Sequence, residues 1–234
     1  MNNHYTPLRI AREIGDKQGE GNALGNLGLA YYSLGDYGKA IDFHLQSLAI
    51  KREIGNKQGE GNSLGSLGLA YYSLGDYGKA IDFHLQSLAI KREIGDRGGE
   101  AIALGNLGSA YCSLGNYSEA LDLQNQKLAI VRELNRRTSE AYALSGLGEV
   151  FIKLEQYKEA LNVLKSALEI CEETGERSLH AEVLKNLAEL HQALGEMETA
   201  RQYCQQALSL ATALGIPLQA ECAALLESLD KPQS

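Results

Sequence analysis

Apolar and small residues recur along the chain at the i, i+3, i+4, i+7 spacing of one helical face. Leu24, Leu27, Gly28 and Tyr31 form one such set, and Ala40, His44, Ser47 and Leu48 form a second. Residues 34–37, Leu-Gly-Asp-Tyr, interrupt the pattern between them. Gly35 is free to take the left-handed conformation that closes a helix, and the Asp36 carboxylate can accept from the open N–H groups of the next one. Residues 17–56 therefore predict two antiparallel helices joined by a tight turn.

The pattern returns every forty residues. Steps of forty from Gly28 reach Gly68, Gly108, Gly148 and Ala188; Leu27 leads to Leu67, Leu107, Leu147 and Leu187, and Ala40 to Ala80, Ala120, Ala160 and Ala200. A fixed period of this length marks stacked supersecondary units. Five are expected, at 17–56, 57–96, 97–136, 137–176 and 177–216. Residues 5–16 match only the second half of a unit, since Leu8, Ile10, Arg12 and Ile14 align with Leu48, Ile50, Arg52 and Ile54. An apolar face is then expected to stand uncovered at that end, either because the chain is a segment of a longer array or because another surface covers it. Residues 217–230 predict a closing helix with Pro217 in its first turn and Leu218, Cys222, Leu225, Leu226 and Leu229 along one side. Residues 231–234 are expected to trail off without order.

The combination Leu24-x2-Leu27-Gly28-x2-Tyr31 followed by Ala40-x3-His44 resembles the tetratricopeptide repeat signature, with Leu24 for the usual Trp and His44 for a later aromatic. Arg52, Arg92 and Arg132 occupy the place of that family's late Pro, so the second helix is expected to continue for about another turn. Forty-residue units of this kind are similar to those of Pins-type scaffolds, and more loosely to kinesin light chains and bacterial repeat arrays. The resemblance implies an all-α fold: a right-handed superhelical solenoid of antiparallel helix pairs, one body over residues 1–234, holding a protein or peptide in its concave groove.

Charge and composition narrow the partners. The net charge of -8 is spread as -1 through residue 100 and -7 beyond it, with no basic stripe of the kind that phosphate binding needs, so nucleic acid is not an expected partner. No apolar run is long enough to span a bilayer, and residues 1–13 carry no signal core. A cytoplasmic protein without a membrane partner is expected. Cys112, Cys171, Cys204 and Cys222 are scattered without Cys-x2-Cys spacing and read as reduced packing residues.

Several motifs invite chemistry and do not support it. Gly61 to Gly65 matches the Gly-x-Ser-x-Gly elbow, which needs a strand-to-helix turn, yet Ser63 falls inside a predicted helix and aligns with Ala23. The glycine-rich stretch 19–25 follows no strand and lacks the Lys-Ser/Thr of a phosphate loop. His44 and His84 are one position copied twice, and no histidine sits at metal-ligand spacing from another. Residues 136–140, Arg-Arg-Thr-Ser-Glu, read as a basophilic kinase target or, more simply, as Thr138 or Ser139 capping the next helix. No convergent set of catalytic groups appears, so neither an enzyme nor a cofactor or metal is expected.

The resemblance places the first helix of each hairpin on the concave face. Its groove positions are Asn22, Gly25, Asn26, Leu29 and Tyr32, then Asn62, Gly65, Ser66, Leu69 and Tyr72, then Ile102, Gly105, Asn106, Ser109 and Cys112. Glu149 follows in the fourth unit, and Lys185, Asn186 and Glu189 in the fifth. Asparagines before the repeated leucine grip a partner's backbone in the related arrays, and a carboxamide suits this because it both donates and accepts. Here that ladder reads Asn26, Ser66, Asn106, Gly146, Asn186, so two rungs are missing; the remaining asparagines either hold a peptide or bond neighbouring helices. Gly25, Gly65 and Gly105 stand where chaperone-tail recognition uses a Lys/Asn clamp, which disfavours that function. Gly21, Gly25 and Gly28 lie in one helix at about 1 kcal/mol each, so residues 17–94 are expected to open more readily than the last two units.

The leading expectation is a non-catalytic adaptor whose peptide site comprises Asn22, Asn26, Leu29, Tyr32, Asn62, Ser66, Leu69, Tyr72, Asn106, Ser109, Glu149 and Asn186. Two rivals stand beside it: a self-associating scaffold joined through the uncovered N-terminal half-helix, and a sensor segment of a larger protein such as a CHAT-type protease or signalling protein. Residues 15–54 and 55–94 differ at three positions only, Asp16/Asn56, Ala23/Ser63 and Asn26/Ser66. Agreement between these units reflects duplication and not independent constraint.

Overall fold

The computed structural model describes residues 6–229; the expected tail at 231–234 and residues 1–5 of the signal-core reading lie outside them. The described residues form helices and no strand: α1 Thr6–Ile14, α2 Lys17–Ser33, α3 Tyr37–Glu53, α4 Lys57–Ser73, α5 Tyr77–Glu93 and α6 Arg97–Ser113. They continue as α7 Tyr117–Glu133, α8 Arg137–Lys153, α9 Tyr157–Thr174, α10 Arg177–Ala193, α11 Met197–Leu214 and α12 Leu218–Leu229. Contacts divide them into two compact units that meet in sequence between Asn116 and Tyr117. In the first, α2 pairs with α3 and α4 with α5, each pair stacks on the next, and α1 packs on α2. In the second, α8 pairs with α9 and α10 with α11, and α12 closes against α11. None of these helices is long and apolar enough to cross a membrane.

Local chemistry sets the helix ends. Gly35 takes φ +76°, and the Asp36 carboxylate accepts from the Lys39 amide at 3.2 Å. Asp16, Asn56, Asp76 and Asp96 cap α2, α4, α5 and α6 in the same way. Four helices of the second unit lack this device: Arg136, Gln156, Glu176 and Glu196 precede α8 to α11 with no side-chain cap bond. Thr138 and Ser139, expected as caps, instead lie inside the first turn of α8, because the forty-residue register puts Arg136 at the capping place. Replacing Arg136 by Asp is expected to stabilise the second unit by about 1 kcal/mol, measured by urea unfolding.

Hairpins are joined by a repeated ion pair. Arg12 reaches Glu20 at 2.7 Å, Arg52 reaches Glu60 at 2.8 Å and Arg92 reaches Glu100 at 2.7 Å; in the second unit Arg132 reaches Glu140 at 2.7 Å. The arginine at the place of the missing proline lies within its helix and ties that helix to the next. Burial alone pushes the carboxyls of Glu60, Glu100 and Glu140 up, but their guanidinium and lysine neighbours outweigh it and hold them below the usual range.

The core between paired helices is a matter of matched sizes. A Cβ on Gly28 would come within 2.6 Å of the His44 ring, one on Gly68 within 2.4 Å of His84, and one on Gly148 within 2.4 Å of Leu164. In the last pair an alanine, Ala188, stands at this place and the smaller Cys204 at the other, both in one buried cluster. Leu24, Leu27, Leu64 and Leu67 flank the first two of these contacts, and Leu187 and Leu190 lie in α10. The closing helix begins at Leu218, just after Pro217: Cys222 and Leu229 are buried, and Leu218, Leu225 and Leu226 pack on the cluster that holds Ala200. All four cysteines are buried and outside any disulfide, and burial pushes the Cys171 and Cys204 thiols up to about 11, so these two stay protonated.

Candidate functional site

In the first unit a groove of about 470 Å³ runs between α2 and α4 with α3 as its floor. The spacing of the first helix turns Asn22, Asn26 and Leu29 toward it from α2, and Asn62 and Ser66 face it from α4. Five of the expected peptide-site residues are thus brought around one volume. Gly21, Gly25 and Gly59 leave the backbone open there, and a Cβ at Gly25 would lie 3.4 Å from Ser47 Oγ on α3. Gly25 therefore has a nearby packing partner as well as a face on the groove.

The floor is polar and internally bonded. Ser47 Oγ donates to the Gly21 carbonyl at 2.8 Å and lies 3.3 Å from Ser63 Oγ. Lys51 runs its stem across α4, where a Cβ on Gly59 would meet Lys51 Cδ at 2.6 Å, and its Nζ donates to Asn22 Oδ1. His44 is 2 % exposed, with Nε2 buried and unpartnered. Burial holds its imidazole, and that of His84, down at about 4, so both are neutral at pH 7. No Asp or Glu lines the groove.

The remaining expected residues are placed differently. Tyr32 packs on the core around Ile41 and Leu64, and its hydroxyl lies 2.9 Å from Ser73 Oγ one hairpin on; Tyr72 repeats this with Ser113 at 3.0 Å. These phenols join hairpins. Leu29 and Leu69 are exposed, whereas Asn106 and Ser109 on α6 are half-buried. In the second unit Glu149 is exposed on α8, and Asn186 is buried, donating to Ser145 Oγ at 3.1 Å. At Gly146 the missing rung is taken by the Gln124 carboxamide, which a Cβ would meet at 2.8 Å. Lys185 pairs with Glu221 of α12 at 2.9 Å. The described residues contain no group of three or more His, Cys, Asp or Glu arranged to hold a metal ion.

Sequence reasoning overlooked Lys51, His44 and Gln58 as lining residues. A signal for Lys51 existed: the forty-residue register gives Lys51 and Lys91 where later units have Val131, Cys171 and Ala211. A lysine in an apolar register position is a buried amine in need of acceptors.

A sequence model described as the tetratricopeptide repeat matches residues 7–53, 19–93, 59–133, 99–173 and 139–213. No curated protein matches the chain significantly. Among solved structures, BtubC from P. vanneervenii is similar at 19% identity and a TM-score of 0.76, over 91% of this chain and 89% of that one. A putative kinesin light chain from Podosopora anserina with nearly identical TPR-like repeats is similar at 21% identity and a TM-score of 0.66, over 83% and 95%. NprR in complex with its cognate peptide NprX is similar at 18% identity and a TM-score of 0.72, over 94% and 65%.

Proposed function

From the premise that the chain belongs to the tetratricopeptide repeat family, we propose that it is a non-catalytic adaptor that holds a peptide of a partner protein in the groove of its first unit. The observation that carries this reading is the convergence of Asn22, Asn26, Leu29, Asn62 and Ser66 on one open volume. Asn26 is exposed there, and its carboxamide can both donate to and accept from an extended backbone, while Leu29 offers apolar surface to a side chain. That NprR holds a cognate peptide supports the reading. Tyr72, Asn106 and Ser109 lengthen the proposed surface along α4 and α6, with Tyr32 and Tyr72 acting first as links between hairpins.

The test uses random peptides displayed on phage, selected against the full chain. Captured peptides are expected to lose at least about tenfold in affinity for the Asn26→Ala/Leu29→Ala/Asn62→Ala variant, with helicity by circular dichroism unchanged. Equal affinity for the variant would remove the groove as the site.

A second reading has its own observation. On α1, Ile10 and Ile14 are 46% and 71% exposed beside a hollow of about 540 Å³ lined also by Pro7 and Ala11. Apolar surface of this kind supports self-association through α1. Sedimentation of wild type and an Ile10→Glu/Ile14→Glu variant separates the two: a strict monomer at high concentration rejects the scaffold.

A further inference from the structure

The two nearly identical hairpins of the first unit differ in how they neutralise one buried cation. Lys91 on α5 passes beneath Gly99 and places Nζ 2.6 Å from Asn62 Oδ1 and 2.9 Å from Asp96 Oδ2. Its charge is met by a carboxylate. Lys51 on α3 makes the same turn beneath Gly59 and donates to Asn22, but the residue at the place of Asp96 is Asn56. The Asn56 side chain accepts from the Gly59 amide at 2.8 Å and donates to Gln18 at 3.0 Å. Among the described residues Lys51 forms no ion pair although it is only 4% exposed. The carboxylate whose field reaches it is Asp16, already bonded to the Gly19 amide.

A buried ammonium without a counter-charge is unfavourable until something anionic meets it. The groove over Lys51 has room for one, its lining contains no acid, and His44 presents a buried nitrogen without a partner. Asn22 and Asn62 turn Oδ1 toward the two lysines, which leaves each Nδ2 as a donor. Resting on the peptide-holding reading above, we propose that this groove selects peptides by an aspartate or glutamate side chain, whose carboxylate docks on Lys51 between the amides of Asn22 and Asn62. The copy at Lys91 is closed to such a ligand because Asp96 already fills the role.

One substitution tests this with little risk to the fold. Asn56→Asp reproduces the arrangement seen at Asp96, which caps α6 from the same register position as Asn56 caps α4. Peptides selected from a random phage library on the wild-type chain are expected to share an acidic position. Changing that residue to Asn or Gln weakens binding by at least about tenfold, and Asn56→Asp removes the acidic preference while retaining the amide version. Asp96→Asn leaves capture intact. Captured peptides without an acidic preference, or a preference that survives Asn56→Asp, overturn the proposal but leave the groove as a peptide site; failure to capture any peptide removes both. Thermal unfolding checks the premise without a peptide. Asn56→Asp is expected to raise the midpoint at low salt, with the gain shrinking as salt is added, and an unchanged midpoint also overturns the assignment.

Discussion

Gly68→Ala is expected to destabilise the first unit by about 2 kcal/mol, although alanine is the better helix former by about 1 kcal/mol. The added methyl would sit 2.4 Å from the His84 ring, and that ring is fully buried with nowhere to retreat. Close-packed interiors answer such an insertion with shifted side chains and helices, at a cost greater than the gain in propensity. The last helix pair supplies the remedy, since Ala188 and Cys204 occupy the same two places in one buried cluster. Gly68→Ala/His84→Cys is therefore expected to recover most of the loss, and a double-mutant cycle by urea unfolding is expected to give a favourable coupling of about 1 kcal/mol or more. Additive effects of the two substitutions would show that the pair is not matched by size.

Mild acid is expected to unfold the first unit. Histidine ordinarily titrates near 6.5, and burial depresses His44 and His84 to about 4 in the folded chain. The unfolded chain thus takes up protons at a higher pH than the folded one. Stability is complete above pH 6.5, declines as pH falls from 6.5 to 4, and then loses nothing more from these two groups. Each contributes about 3 kcal/mol to that decline. The carboxylates in ion pairs act lower, because their folded values lie below the usual range. The Gly148 and Leu164 contact shows that a leucine fits against this glycine. His44→Leu/His84→Leu is expected to flatten the slope of unfolding free energy between pH 7 and pH 4.5; an unaltered slope would mean that the imidazoles are not the source.

The same residues show what was legible beforehand. Hairpins, turns and the closing helix could be read from Leu27, Gly35, Asp36 and Cys222, because helix period and turn chemistry act locally. The cap at Thr138 could not, since Thr and Ser are good caps in the abstract and only the register assigns that role to Arg136. Asn26, Leu29 and Ser66, expected on the concave face from the family resemblance, line the groove from α2 and α4. Tyr32 and Asn186 went elsewhere because their partners, Ser73 and Ser145, are about forty residues away, and spacing within a helix says nothing about the neighbouring hairpin. Lys51 was passed over for the opposite reason: an exposed lysine is the ordinary case, and only its register with Val131, Cys171 and Ala211 signals the packing beneath Gly59 that buries it.

Two links between successive hairpins of the first unit keep one step. Tyr32 meets Ser73 as Tyr72 meets Ser113, and Arg52 meets Glu60 as Arg92 meets Glu100. Excising residues 55–94 would bring Tyr32 to Ser113 and Arg52 to Glu100 with both chemical matches intact, so copy number can drift in a lineage without breaking either link. A shortened chain of that kind differs at the lysine, where Asp96 would then follow Lys51 in place of Asn56. Loss of one repeat would neutralise the lone amine, and the choice between an open and a silenced groove would rest on how many copies the gene carries.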